Sequence, residues 1–322
     1  MTEPMIERLT PERHHTWDAF VAASANGTLF QRLDFLEYHG NRFEAAAHHL
    51  LWMKGGAIFA VLPLGLFQEV GGLVARSPFG ASFGGFVHLP KLQLKYALKM
   101  VDQLLDHLRV EEVRSCHLTL SPPCYHRSAT EVMAFALGHR GFHLENRELT
   151  HVIPLDGVSD PFRPLASSTR TQVRKAQKAG VTIERNAALH VAYPLAVKTK
   201  AKLGSTSMTH TEAELHLLQV INPDFVKVDV AWLGGTPIAA NIFLCSPTCI
   251  TSFYPSHLKE YAQTSALTLL TFDAIQWCIE TGRTYLDLGC SSYRTNVNLA
   301  LSEFKESFGA IGLLRDSYGI QL

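Results

Sequence analysis

Tyr285-Leu286-Asp287-Leu288-Gly289-Cys290-Ser291-Ser292-Tyr293 follows closely on Ser265–Thr281, a run with the length and spacing of a long helix that stops at Gly282. A helix, a glycine stop and a short apolar strand, in that order, point to an α/β unit. One acid, Asp287, interrupts the strand just before Gly289. Strand ends line the ligand crevice in α/β folds, which makes Asp287 a candidate site residue. A structural strand-end role is the alternative.

The alternation extends in both directions. Downstream, the sequence predicts a helix over Asn296–Phe308 and a strand over Ile311–Arg315. Upstream, Ser168–Ala179 reads as a helix capped by Gly180, followed by helices Val191–Leu203 and Glu212–Ile221. Strands Val226–Leu233, Ile238–Leu244 and Ile250–Tyr254 come next, the first two joined by a hairpin turn at 234–237. The first half runs through helices Pro11–Ser24 and Leu33–Tyr38, then strands Ala57–Leu66 and Gly71–Ser77. The amphipathic helix Leu92–Arg109, strand Val113–Leu120, helix Ala129–His139 and strand Thr150–Leu155 complete it. The halves share a pattern and no sequence repeat.

The chain has 322 residues, 47% of them hydrophobic, and a formal net charge of zero. That length suits two domains. Neutrality excludes a globally basic nucleic-acid binder and an acidic tail protein. Met1–Arg8 lacks the basic start and apolar core of a signal peptide. The apolar runs Ile58–Leu66 and Ile238–Cys245 fall far short of the roughly 20 residues a span requires, so a cytoplasmic protein is expected. Six cysteines without C-x-x-C fit a reduced interior. Cys245 and Cys249 flank a hairpin loop, but no second pair exists to complete a metal site. His14-His15 and His48-His49 are adjacent pairs, whose side chains diverge. His117 reads as a strand residue. His210, just before a helix, is either a polar site residue or a helix-start residue. No metal is expected.

Three constellations carry candidate chemistry. The first is Ser77–Phe86, with Phe79, Gly80, Ser82, Gly84 and Gly85. Its glycines permit positive φ and close backbone approach, either as a tight loop or as a pocket wall for an acyl or phosphate group. It is not a P-loop, because Gly-Lys-Ser/Thr is missing. The second is 163–202, which holds nine Lys/Arg and one acid, a net +8 balanced by −8 elsewhere. Arg170, Arg174 and Lys178 recur every four residues and share a helix face without an acidic partner. A solvated face is the bland reading; an anionic, phosphate-bearing ligand is the better one. The third adds Lys305 to Asp287. Lys305 sits between Glu303 and Glu306 on a helix, where composition alone favours a surface position.

Together these residues resemble the FemABX-like branch of the GNAT acyltransferase superfamily, whose members are also described as carrying a BioF2-like acetyltransferase domain. The ordered matches are Asn26-Gly27-Thr28-Leu29-Phe30-Gln31, Ser77–Gly85, the Arg170–Gly180 helix, Gly282–Gly289 and Phe304–Gly309. The resemblance implies an α/β fold of two tandem GNAT-like domains, with mixed central sheets flanked by helices. Their expected limits are 1–155, completed by 310–322, and 156–309. It implies transfer of an acyl or aminoacyl group to an amine, as of a peptidoglycan or other cell-envelope precursor. In the best-understood FemABX enzymes the donor is aminoacyl-tRNA, and a Phe-Lys pair matching Phe304-Lys305 contacts the charged tRNA end. Basic residues there hold acceptor phosphates, with Arg170 and Arg174 as the counterparts. Tyr254 joins Arg170, Arg174, Phe304 and the Phe79–Gly85 loop residues as candidate substrate-binding residues.

Two departures from the family pattern matter. No charged heptad arm lies between Leu203 and Asp224. The glycine-containing pyrophosphate loop of acetyl-CoA users is replaced by Lys259–Ala266, which has no glycine. The expected mechanism is direct attack of the amine on the donor carbonyl, since no G-x-S-x-G elbow is present. Lys305 is then expected to stabilise donor and leaving group, and Asp287 to orient or deprotonate the amine. No bound cofactor is implied, and the donor is aminoacyl-tRNA or acyl-CoA. An acyl-CoA-dependent N-acetyltransferase of a small amine or amino sugar is the alternative. A non-catalytic binder of an anionic partner is the second. No stable nucleic-acid complex is expected, because stacking aromatics are not interleaved with the basic residues.

Overall fold

The computed structural model describes residues 3–128, 130–202, 208–293 and 296–322. The chain forms two compact units, Met1–Glu148 with Leu314–Leu322, and Leu149–Leu313.

In chain order the first unit holds β1 (Met5–Arg8), α1 (His14–Ala23), α2 (Leu33–Leu36), β2 (Leu50–Lys54), β3 (Ala57–Leu62), β4 (Gly65–Glu69), β5 (Gly72–Ser77), β6 (Val87–His88), α3 (Leu94–Val110), β7 (Val113–Thr119) and α4 (Val132–His139). The division falls inside β8 (His143–Pro154). The second unit continues with α5 (Ser167–Lys178), β9 (Thr182–Arg185), α6 (Leu189–Lys202), α7 (Glu212–Ile221), β10 (Val226–Leu233), β11 (Thr236–Cys245), β12 (Cys249–Ser252) and β13 (Ser256–His257). Then come α8 (Ala266–Glu280), β14 (Tyr285–Cys290), β15 (Ser292–Tyr293), β16 (Asn296–Val297) and α9 (Leu299–Glu306). The last strand, β17 (Ile311–Gln321), returns to the first unit.

In the first unit β1, β2, β3 and β6 pair antiparallel. A second set pairs β4 antiparallel to β5, β5 parallel to β7, and β7 antiparallel to β17, with Ser317 opposite Thr119. The expected single strand Ala57–Leu66 is therefore two. Pro63, which lacks an N–H for a ladder, ends β3, and β4 pairs elsewhere. The apolar stripe of α3 buries Ala97, Met100, Val101, Leu104 and Leu108 against Trp52, Leu62 and Phe86.

In the second unit the order is β8, β14, β12, β11, β10, β9, with only the β12–β14 pair parallel. Phe243, Phe272, Ile275, Leu286 and Phe308 are buried in its core. α5 ends where Gly180 takes φ +81°, and Val181 N–H donates to Ala176 O at 3.1 Å, a Schellman cap. α8 ends the same way, with Gly282 at φ +69° and Arg283 N–H on Cys278 O at 2.9 Å. α9 starts three residues later than its spacing suggests. Asn298 caps it by accepting from Leu301 N at 3.0 Å. The starts of α4 and α6 are also shifted, and the expected termini Ala129 and Leu203 lie outside the described residues. Among the described residues no helix is long and apolar enough to cross a membrane.

Candidate active site

β14 does not run straight into its partner. Asp287 pairs with Val152 and Cys290 with Thr150, so one extra residue sits on β14. This is a β-bulge, and Gly289 takes φ +78° within it, a conformation that side chains disfavour. The bulge turns two carbonyls toward α9. The Lys305 ammonium donates to Gly289 O at 2.7 Å and to Cys290 O at 2.9 Å. Lys305 is only 4% exposed, which overturns the surface position that its acidic neighbours suggested. Burial pushes its pKa down to about 8, opposed by the charge of Asp287.

Asp287 is buried at the same place. Its Oδ1 accepts from Thr150 Oγ1 at 2.6 Å and from Gly289 N–H at 2.7 Å. The carboxylate thus fixes the bulge whose carbonyls hold Lys305. Beside it lies a second network, centred on the buried His151 and running out to the exposed Glu306, that sequence reasoning missed. His151 Nδ1 is 3.1 Å from Ser291 Oγ, and its Nε2 is 2.9 Å from Ser302 Oγ. Ser302 Oγ donates to Glu306 Oε1 at 2.8 Å. This network ties β8, the end of β14 and α9 together. Its members are separated by up to 155 residues, so no local motif marks them.

Phe304, next to Lys305, borders a cavity of about 210 Å³ with Gln172, Tyr261, Ser265, Leu267 and Thr268. The cavity lies at the start of α8. Ser265 takes a left-handed φ of +59° there and makes no side-chain cap. The first N–H groups of a helix have no intrahelical acceptor, so this end favours an anion or an acyl oxygen. The glycine-free stretch Lys259–Thr264 forms a 3-10 turn at the rim. Gln172 of α5 accepts from Thr268 Oγ1 at 3.2 Å.

Residues 166–306 match the family model for an acetyltransferase (GNAT) domain. The second unit is a GNAT acetyltransferase domain. Among solved structures, FemX is similar over 99% of this chain and 97% of its own, at 12% identity and a TM-score of 0.74. L-PGS from Bacillus licheniformis is similar over 97% of this chain and 92% of its own, at 13% identity and 0.60. A tandem GNAT protein from the clavulanic acid biosynthesis pathway covers 99% and 98%, at 14% and 0.57. At such identities the likeness establishes the fold, which is FemABX-like with two GNAT-like domains. No curated protein sequence matches the chain. The chemistry of a GNAT domain is acyl transfer, so the protein is an acyltransferase.

The other candidates of the GNAT domain are engaged by the protein itself. Arg170 Nε donates to Leu165 O at 2.9 Å and Nη2 to Arg163 O at 3.3 Å, which holds the loop ahead of α5. Arg174 is exposed, its guanidinium 5.5 Å from the Phe162 ring. Arg185 is paired with Asp273 at 2.7 Å and Glu280 at 2.6 Å, so the +8 run is partly neutralised by α8. Tyr254 is buried, its hydroxyl accepting from His210 N–H at 3.2 Å and lying 2.8 Å from His210 Nδ1. His210 is anchored there, while Thr211 caps α7 through a reciprocal bond with Glu214.

The Ser77–Phe86 loop lies in the first unit. Phe79 is buried, stacked on His49 with ring centroids 5.5 Å apart. Gly80 O accepts from Tyr38 Oη at 3.0 Å and is 2.8 Å from His39 Nε2. A Cβ at Gly80 would collide with His39 Nε2, and one at Gly84 with Ser77 Oγ. These glycines answer internal packing. Gly85 N–H donates to Ser77 Oγ at 2.9 Å, and Ser82 is half-buried. Gly84 also borders a cavity of about 350 Å³ with Asn26, His88, Ser121, His126 and Arg147. The Asn26–Gln31 motif is a stitch of the same kind: Asn26 bonds Phe86 O and His88 N, and Thr28 and Gln31 form a capping box.

Proposed function

We propose that this acyltransferase moves an acyl or aminoacyl group onto a primary amine of a peptidoglycan or other cell-envelope precursor, in the cytoplasm, without a covalent enzyme intermediate. The observation that supports this is the buried Lys305 ammonium inside a GNAT domain, held by two bulge carbonyls and following directly in sequence on Phe304, which itself borders a cavity. The amine nitrogen attacks the donor carbonyl carbon and a C–N bond forms. The C–O bond of an RNA ester, or the C–S bond of a thioester, then breaks. The proton released by the amine leaves with the alkoxide or thiolate. Lys305 has one N–H beyond its two carbonyl bonds, and a cation with that donor stabilises the tetrahedral oxyanion or the departing group. Asp287 acts through the bulge as a positioning residue. Arg170 and Arg174, one turn apart on α5, are the candidate holders of acceptor phosphate.

Aminoacyl-tRNA is the leading donor, because the rim Lys259–Thr264 has no glycine to bring backbone N–H groups onto a pyrophosphate. A thioester donor is the second reading, favoured by the uncapped start of α8 at the cavity. Purified protein incubated with charged tRNAs and an acyl-CoA panel, with mass spectrometry of amine acceptors, separates the two. Modification with neither donor class would overturn acyl transfer by this site. Micromolar CoA binding by calorimetry would favour the thioester.

A further inference from the structure

His48 and His107 are 59 residues apart and meet in the first unit with Nε2 atoms 2.8 Å from each other. Glu111 follows His107 by four residues at the end of α3, so both side chains leave the helix on one face. One ligand atom from each of the three lies within 4.8 Å of the others. His48 is buried, His107 half-buried and Glu111 exposed, which leaves one side open to solvent. The backbone around His48 is fixed, its N–H donating to Leu64 O at 2.8 Å.

We propose that His48, His107 and Glu111 form a transition-metal site of the Zn²⁺ type. Two imidazole nitrogens and a carboxylate are a donor set that suits Zn²⁺ and excludes the all-oxygen preference of Mg²⁺ and Ca²⁺. Solvent completes a fourth position. Zn–N distances of about 2.0–2.1 Å at a tetrahedral angle separate the two nitrogens by about 3.3 Å. The imidazoles therefore part by about 0.5 Å on binding, which the half-buried His107 ring supplies by rotating. The cation of Arg8 lies close enough to act on both imidazoles, and Glu111 opposes it. The site ties the end of α3 to the chain entering β2, and it stands independently of the acyl-transfer reading.

The test uses the whole chain without a histidine tag, stripped with EDTA and dialysed. Titration with ZnCl₂ by calorimetry should show one tight equivalent, and CoCl₂ should give the visible absorption of tetrahedral Co²⁺. Zn²⁺ should raise the melting temperature, and MgCl₂ should not. His107→Gln and the surface substitution Glu111→Gln should each weaken Zn²⁺ at least tenfold while far-UV circular dichroism is unchanged. A control variant, His14→Gln with His15→Gln, should bind normally. Absence of a stoichiometric Zn²⁺ equivalent, or wild-type affinity in both His107→Gln and Glu111→Gln, would overturn the assignment.

Discussion

The ammonium of Lys305 donates to the carbonyl oxygen of Gly289 across 2.7 Å, so a backbone bulge, rather than a carboxylate, is the first partner of a buried cation. Carbonyl dipoles hold the charge without neutralising it. Substituting Lys305 by Ala removes the cation and the two hydrogen bonds it donates to the bulge, at a cost of about 1–3 kcal/mol. The variant should remain folded at 25 °C and lose at least a hundredfold in kcat, with a smaller change in KM. Wild-type turnover in a folded Lys305→Ala protein would remove Lys305 from the chemistry.

The lowered pKa gives a pH signature with two opposite parts. Lys305 is charged below about 8, so kcat should fall as pH rises through that value. Stability should move the other way. Between about 8 and the ordinary value of 10.5, the unfolded chain binds the proton that the folded chain has lost, so unfolding becomes harder as pH rises. This one group adds about 1.4 kcal/mol per pH unit in that window. Urea titrations of wild type and Lys305→Met over this range measure the difference.

Asp287→Asn separates position from charge. An amide oxygen still accepts from Thr150 and Gly289, so the bulge should persist. Loss of the negative charge should lower the Lys305 pKa further and move the alkaline limb of kcat to lower pH. An unmoved limb in a folded Asp287→Asn protein would show that Asp287 does not act on Lys305.

A buried ion pair tests the core of the GNAT domain. Lys227 and Asp229, 5% and 0% exposed, pair on one face of β10, and the Lys227 ammonium lies 4.5 Å from the Trp277 ring. Asp229→Ala strands the lysine and should cost about 3–5 kcal/mol. Lys227→Met combined with Asp229→Asn should cost far less than Asp229→Ala alone. Denaturant midpoints of the two proteins decide.

In the first unit, burial pushes the pKa of His49 down to about 3 and that of His126 to about 4. Both stay neutral in the fold, while the unfolded chain protonates near 6.5. Stability is therefore complete above 6.5 and declines as pH falls toward 4, by up to about 1.4 kcal/mol per unit for each group. His49→Leu removes one buried nitrogen that has no partner and should flatten this acid limb. Chemical denaturation at pH 7.5, 6.0 and 5.0 checks it.

Local signals fixed the elements that carry their own punctuation. α7 and β10 lie where the sequence places them, because Thr211–Glu214 caps one and the Gly234-Gly235 turn ends the other. β1, β2 and β9 went unread. They are 4, 5 and 4 residues long, too short for a period to stand out. Lys305 and Asp287 were legible as residues and not as a relationship. The burial of Lys305 depends on carbonyls presented by a bulge in another element, and a bulge is set by pairing with β8. The His151 network and the His48–His107 contact are invisible for the same reason: each joins side chains far apart in sequence. The basic run misled in part, since the acids that answer Arg185 come from a helix 88 and 95 positions later.

β17 supplies the antiparallel partner of β7 in the first unit, yet it is made after the whole of the second unit. The order of synthesis is therefore not the order in which units can be completed. As the chain emerges from the ribosome, β7 waits with one edge unpaired while nearly two hundred further residues are added. The GNAT domain can close first, and the unit that was begun first finishes last. Any truncation or fusion that disturbs Ser317–Gln321 should thus injure the amino-terminal half, far from the alteration in sequence.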